Sequence, residues 1–255
     1  MTRSLLLVFA HPDDETYATG ATVARYANEG VRIALYCATD GGAGRSSGIP
    51  VSSPEDLGHV RRAELREACD VLGIASVEVG GYPDGELPLV DPDVVIGRIV
   101  SMIRREKPDV VLTFGPEGAP TQHRDHRAIS TLTDAAFRFA GSSDHYTQQL
   151  LDGIEPHTAG RLCHVTWPTP GPDAFYPVKG GPIHVEIDAR PFNTLKHRAF
   201  DAHRSQGQHR ENFERYAITD SEFYSIAAGR PAPAGATDLF AGLLVGERLD
   251  RGGER

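Results

Sequence analysis

Two short polar clusters carry the chemistry open to this sequence. His11-Pro12-Asp13-Asp14-Glu15 follows an apolar run. At such a turn His11 and Asp14, three residues apart, can address one cation, which leaves Asp13 free to face a bound water. Three adjacent carboxyl groups repel one another, so the cluster is costly unless a cation or a helix N-terminus compensates. The plain alternative is an acidic cap on a surface helix. His123-Arg124-Asp125-His126 follows a loop containing Gly115, Pro116, Gly118 and Pro120. Two imidazoles and a carboxylate at one sheet edge with the first cluster form a set of metal-ligand type. That set suits Zn²⁺ with an open fourth position, or Fe²⁺.

The two clusters must be brought together by the elements that precede them. Short apolar runs at Ser4–Ala10, Arg32–Ala38, Ser76–Gly80 and Val110–Phe114 read as strands. Helical patterns lie between them, over Thr16–Asn28, through Val60, Leu65, Ala68, Val71 and Leu72 to a stop at Gly73, over Pro92–Lys107, and over His126–Phe139. Non-alternating apolar strands separated by helices predict βαβ units and a parallel sheet covered on both faces. After Gly141 the pattern loosens: strands are expected at Leu162–Thr166 and His184–Asp188, a helix over Pro191–Ser205, and a Pro/Ala/Gly-rich tail before Leu239–Val245. The expected fold is one α/β domain over residues 1–255. It has a Rossmann-like, mostly parallel sheet with helices on both faces and an irregular, mixed C-terminal portion. In open sheets of this kind ligands bind beyond the carboxyl ends of the strands, where both clusters sit.

Composition narrows the function further. The 255 residues hold 26 Lys+Arg against 35 Asp+Glu, a net charge of −9, with no basic run beyond pairs such as Arg61-Arg62 and Arg104-Arg105. That argues against a nucleic-acid partner. No apolar stretch approaches the roughly 18 residues that span a bilayer, so no membrane role is expected. Cys37, Cys69 and Cys163 are widely spaced and odd in number, which fits packing residues in a reducing, cytoplasmic setting.

AHPDDE after a first strand, followed by PDVVLTFGPEG and HxDH, resembles the LmbE-like, PIG-L family of zinc-dependent N-acetylglucosaminyl deacetylases. The likeness extends to Thr39-Asp40-Gly41-Gly42, to Arg61-x-x-Glu64, to Pro83-Asp84-Gly85, and to Lys196-x-x-Ala199 with His203 and Ser205-Gln206. The resemblance implies one Zn²⁺ per chain, with Fe²⁺ as the alternative, held by His11, Asp14 and His126. It implies Asp13 as general base, His123 as a protonated general acid and oxyanion stabiliser, and Asp125 as the group that orients the His123 imidazole. Arg61 and Asp84 are the expected substrate contacts; the alternatives are an Arg61–Glu64 ion pair along a helix and an ordinary Pro-Asp-Gly turn. The expected partner is a small N-acylated sugar or glycoconjugate, and relatives of this type often form homo-oligomers.

The chain departs from the family pattern in places. Gln122 and Arg124 flank His123 where Gly and Pro are common, Thr121 stands where sugar-thiol pathway members have Tyr, and Gly42 stands where they have Glu. A different acylated amine is therefore expected as substrate, with a non-sugar amide or a non-catalytic metal- or sugar-binding role as competing readings. A nucleotide-binding domain is disfavoured, because the first turn is acidic and lacks GxGxxG. Trp167 and Phe175-Tyr176 read first as anchors of their loop, with an apolar rim for an acyl chain or aglycone as the alternative, and His203 reads as a helix-surface residue. The loop Thr39–Leu57, rich in Gly and Ser, is expected to be mobile and to shape substrate choice.

Overall fold

The computed structural model describes residues 2–171, 174 and 176–243. Seven strands, β1 (Ser4–Phe9), β2 (Arg32–Thr39), β3 (Ser76–Tyr82), β4 (Val110–Phe114), β5 (Arg161–Thr166), β6 (Val185–Asp188) and β7 (Ser221–Gly229), form one sheet. Its order is β3-β2-β1-β4-β5-β7-β6. The first five neighbours run parallel, whereas β7 is antiparallel to both β5 and β6. All six residues of β1 and all five of β4 are buried, as unalternating apolar strands must be when both faces are covered.

Helices α1 (Asp14–Asn28), α2 (Pro54–Leu72), α3 (Pro92–Glu106) and α4 (Arg124–Phe139) connect the parallel strands, and the short α5 (Thr147–Leu151) follows α4. Helices α6 (Asn193–Ala202) and α7 (Arg210–Tyr216) precede β7. They pack in two sets, α1 with α2 and α6, and α3 with α4. Local sequence sets the boundaries. Ser53 caps α2 by accepting from the Asp56 N–H, with Pro54 in the first turn, and Gly73 ends the helix at φ 79°. Asp91 and Pro92 do the same for the start of α3.

The expected elements are present with shifted ends. Helix α1 begins at Asp14 and α4 at Arg124, so each polar cluster sits on the first turn of its helix. The helix expected over Pro191–Ser205 is shorter, because the chain turns into a 3-10 segment at Arg204–His209. Strand β7 and helices α5 and α7 were not expected from the sequence. Of the expected apolar run Leu239–Val245, Leu239 and Phe240 are buried, and Leu244 and Val245 lie outside the described residues.

Strand β1 leads to β2 on one side, and β4 pairs with it on the other. The carboxyl ends of β1 and β4 therefore flank the point where the winding reverses, the usual ligand crevice of an open α/β sheet. The antiparallel part is fastened by Arg161. Its fully buried guanidinium donates to the carbonyls of Arg230, Pro231, Leu239 and Ala241. Replacing it strands several buried carbonyl groups. Arg161→Met is expected to lower unfolding free energy by about 3 kcal/mol or more, measured by denaturant titration; a loss below about 1 kcal/mol would remove this anchoring role.

Candidate active site

The chain leaves β1 at Phe9 and turns sharply through His11–Asp13. Asp13 caps α1 at φ 115°, a backbone region that L-residues other than Asn and Asp rarely enter. Two contacts hold it there. Its N–H donates to Glu15 Oε2 at 3.0 Å. Arg61, from α2, donates to the Pro12 carbonyl and to Asp13 Oδ2, the latter at 3.1 Å. Asp14 points the other way, and its Oδ2 accepts the Ala10 and His11 N–H groups at 3.1 and 2.8 Å. Glu15 is buried, with Oε1 on His203 Nε2 at 2.9 Å.

The His11 and His126 imidazoles and both oxygens of the Asp14 carboxylate come together beside this turn. His11 Nδ1 lies 3.1 Å from His126 Nε2 and 3.4 Å from Asp14 Oδ2, and His126 Nε2 lies 3.2 Å from Asp14 Oδ1. The outer ring nitrogens decide the tautomers. His126 Nδ1 sits 3.2 Å from the Gly118 carbonyl, which can only accept, so His126 Nε2 presents its lone pair inward. His11 Nε2 sits 3.2 Å from Asp125 Oδ2 and 3.2 Å from Asp84 Oδ1, which leaves His11 Nδ1 facing inward in the same way. Such outer partners orient the imidazoles of metal sites.

Ligand atoms on a tetrahedral ion at zinc-like bond lengths lie roughly 3.3 Å apart. The His11 and His126 nitrogens, 3.1 Å apart, and Asp14 Oδ1, 3.2 Å from His126 Nε2, have the spacing of donors to one divalent cation. Electrostatics agree: burial opposes charge on His11, but Asp125, Asp14 and Asp84 outweigh it and raise its proton affinity well above the ordinary value. Surroundings that favour a proton there favour another cation. Burial also opposes ionisation of Asp14, yet His126 and His11 hold its carboxyl well below the usual range.

His123 joins the same cluster, within ligand distance of His11 and His126, its ring edge-on to His11 at 4.7 Å between centroids. Its Nδ1, however, accepts the Asp125 N–H at 3.2 Å. That leaves Nε2 as the proton-bearing nitrogen of a neutral ring. The cluster His11, Asp84 and Asp125 surrounds the outer nitrogen of His11, which is already bonded. His11 Nδ1 and His126 Nε2 thus turn their lone pairs toward each other beside the Asp14 carboxylate.

Three expectations are corrected. Asp125 orients His123 through its backbone N–H, while its carboxylate serves His11 and the Gly85 and Leu87 N–H groups. His123 is shifted below, not above, its ordinary value, by burial and by the charges of His11 and His126. By contrast, burial raises the Asp13 carboxyl, against the pull of Arg61. His203 is likewise no surface residue: it is fully buried against Glu15.

Arg61 does not pair with Glu64, whose carboxylate takes the Ser205 N–H and hydroxyl. It grips Asp13 and the Pro12 and Gly41 carbonyls while lining the cavity. Asp84 lines the same cavity, with Oδ2 on the Ala43 N–H at 2.9 Å. The loop expected to be mobile is tied down: Gln206 and Gln208 donate to the Arg45 carbonyl, and Ser47 N–H donates to the Ser205 carbonyl.

The departures also have local causes. Gln122 adopts φ 56°, the left-handed region that glycine enters freely, and its side chain accepts from Arg127 at 2.7 Å. At Gly42 a Cβ would lie 2.6 Å from the Pro54 carbonyl oxygen, so no side chain fits without displacing the start of α2.

The cluster opens into a cavity of about 590 Å³ whose lining includes His11, Asp13, Asp14, His123 and His126. Trp167 and Tyr176 line it, the alternative to a purely loop-anchoring role, joined by Tyr17, Tyr216 and Phe223; Phe175 lies outside the described residues. Sequence reasoning missed the last three and the buried Lys196–Glu222 pair at 2.7 Å. For Tyr17 a signal existed, since it lies one helical turn after Asp13.

Residues 6–137 match the family model described as PIG-L, GlcNAc-PI de-N-acetylase. A 1D-myo-inositol 2-acetamido-2-deoxy-alpha-D-glucopyranoside deacetylase of Rhodococcus erythropolis is 30% identical, covering 94% of this chain and 98% of that protein. Among solved structures, the N,N′-diacetylchitobiose deacetylase from Pyrococcus horikoshii superposes with a TM-score of 0.72 at 24% identity, covering 88% of this chain and 83% of that one. The 4-carboxy-2-hydroxymuconate hydratase of Pseudomonas putida KT2440 superposes at 0.73 with 20% identity, covering 92% and 100%. At those identities the two structures establish the mixed α/β fold, which evidently carries more than one chemistry. With its motifs on the first turns of α1 and α4, and a family match over residues 6–137, the chain belongs to the PIG-L (LmbE-like) family, whose homologues are named as deacetylases.

Proposed function

We propose that this protein is a zinc-dependent hydrolase that removes an N-acetyl group from an amino sugar or a glycosylated small molecule. The observation that carries this reading is that His11 Nδ1 and His126 Nε2 lie 3.1 Å apart, with the two Asp14 oxygens 3.4 and 3.2 Å from them, beside a second carboxylate, Asp13, that is not part of the group. A binding protein needs the three donors but has no use for Asp13. Zn²⁺ is the preferred ion, one per chain, with Fe²⁺ compatible with the same donors; when bound it lowers the pKa of water and polarises the amide carbonyl.

The remaining steps belong to the chain's own residues. Asp13, raised by burial, takes the proton of the attacking water and delivers it to the leaving amine. His123, with Nδ1 occupied by the Asp125 N–H, donates from Nε2 to the oxyanion that develops on the carbonyl. Arg61 holds Asp13 in place. Asp84, on the cavity wall, offers an acceptor to sugar hydroxyl groups. The whole chain, 1–255, is read as one catalytic domain. Among the described residues no helix is long and apolar enough to cross a membrane. Cys37, Cys69 and Cys163 are buried and free, which supports a cytoplasmic setting.

The first test is metal content of the purified protein and amine release from N-acetylglucosamine conjugates with and without chelator; release that survives complete metal removal overturns the reading. Asp13→Asn keeps size and tolerance of the left-handed backbone, so it should retain about one metal per chain while kcat falls roughly 10²–10⁴-fold. Near-normal turnover would rule out Asp13 as base. Asp125→Asn removes the charge behind His11 Nε2 and should weaken metal binding roughly 10–100-fold in a competitive chelator titration. Unchanged affinity would mean that Asp125 does not support the ligand.

A further inference from the structure

Resting on the deacetylase reading, we propose that the cavity beyond the metal cluster is a subsite for an uncharged aromatic aglycone of an N-acetylated amino sugar. At about 590 Å³ it lies well inside the range that encloses drug-sized molecules, above the roughly 300 Å³ lower end. Space therefore remains beside the sugar.

The lining identifies what fills that space. Tyr17, Trp167, Tyr176, Tyr216 and Phe223 face it, whereas Val165 is the one branched aliphatic residue among the described lining residues. An alkyl chain is ordinarily met by Leu, Ile and Val; flat rings are met by flat rings in offset or edge-on contact. The wall is also preset. The Trp167 indole N–H donates to the Val178 carbonyl at 2.8 Å, Tyr176 and Tyr216 meet edge-on at 5.7 Å between centroids, and Tyr17 is braced edge-on by Phe200 and Phe213.

Charge excludes the other large class of aglycone. The only lysine and arginine among the described lining residues are already committed, Lys196 to Glu222 at 2.7 Å and Arg61 to Asp13 at 3.1 Å. Away from the metal, a phosphate or carboxylate on the aglycone would find no lysine or arginine among the described lining residues that is not already paired, with Asp84 nearby, and burying an unpaired charge is costly.

The chain holds a single tryptophan, so the emission of Trp167 reports on this wall alone. The metal-loaded protein is titrated by Trp167 fluorescence with the phenyl and methyl glycosides of N-acetylglucosamine, with N-acetylglucosamine 1-phosphate, with N,N′-diacetylchitobiose and with the methyl glycoside of N-hexanoylglucosamine. Amine release is followed on the same five compounds. Phenyl glycoside should bind at least tenfold tighter than methyl glycoside, and none of the other three should match it. Trp167→Ala should bring the phenyl-to-methyl ratio of kcat/KM to within about twofold of unity. A phenyl affinity within twofold of the methyl value, undetectable binding of both included, overturns the proposal. So does tighter binding of the phosphate, the disaccharide or the N-hexanoyl compound. Tight phenyl binding without amine release would leave the subsite standing and defeat the deacetylase reading; equal release from all five with equal affinities would do the reverse.

Discussion

Three consecutive carboxyl groups at the end of one strand are the constraint around which this molecule is arranged. Asp13, Asp14 and Glu15 cannot share one environment without strong mutual repulsion. The structure separates them by direction and gives each its own partner: Asp13 to Arg61, Asp14 to His11 and His126, Glu15 to His203. The left-handed backbone at Asp13 is what splays them, and the Glu15 carboxylate returning to the Asp13 N–H pins that conformation.

Each partner arrives on a different element, so the site draws the fold inward. Arg61 comes from α2, His126 from α4 and His203 from the turn after α6. The C-terminal portion thus does more than extend the sheet. It supplies the buried base beneath Glu15. Through Glu222, which accepts the Ala21 and Thr22 N–H groups and the Lys196 ammonium, it also grips the middle of α1. Burial of Lys196 and Glu222 as a pair contributes little net stability by itself but makes any other registry of α1, α6 and β7 costly, since it would leave a buried charge alone.

The first half of the fold was legible because its strands are buried on both faces and read as unbroken apolar runs. The candidate site was legible as a cluster, because His11, Asp14, His123 and His126 lie in two compact motifs directly after strands that the sheet brings side by side. Strand β7 was not, because its buried positions include Glu222 and Ser225, whose burial depends on partners about 200 residues away for Glu222 and on neighbouring strands for Ser225. His203 was misread for the same reason, since Glu15 lies 188 residues distant. The ring pair Tyr176–Tyr216 and the role of the Asp125 backbone, rather than its carboxylate, in orienting His123 are likewise matters of three-dimensional placement that no spacing encodes.

The tight approach of Gly42 to the Pro54 carbonyl has a consequence for how the loop after β2 can change. An acidic side chain at this position would add a polar contact to the loop after β2, yet here the backbone of α2's first turn occupies its space. Acquiring that contact is not a one-step substitution: the start of α2 must move first, and Arg61 and its hold on Asp13 ride on that same helix. The side chain that position 42 can carry and the placement of Asp13 are therefore coupled through one helix. Any lineage or design that places an acidic side chain here must pass through an order-dependent series of changes, in which the backbone shift comes before the side chain that exploits it.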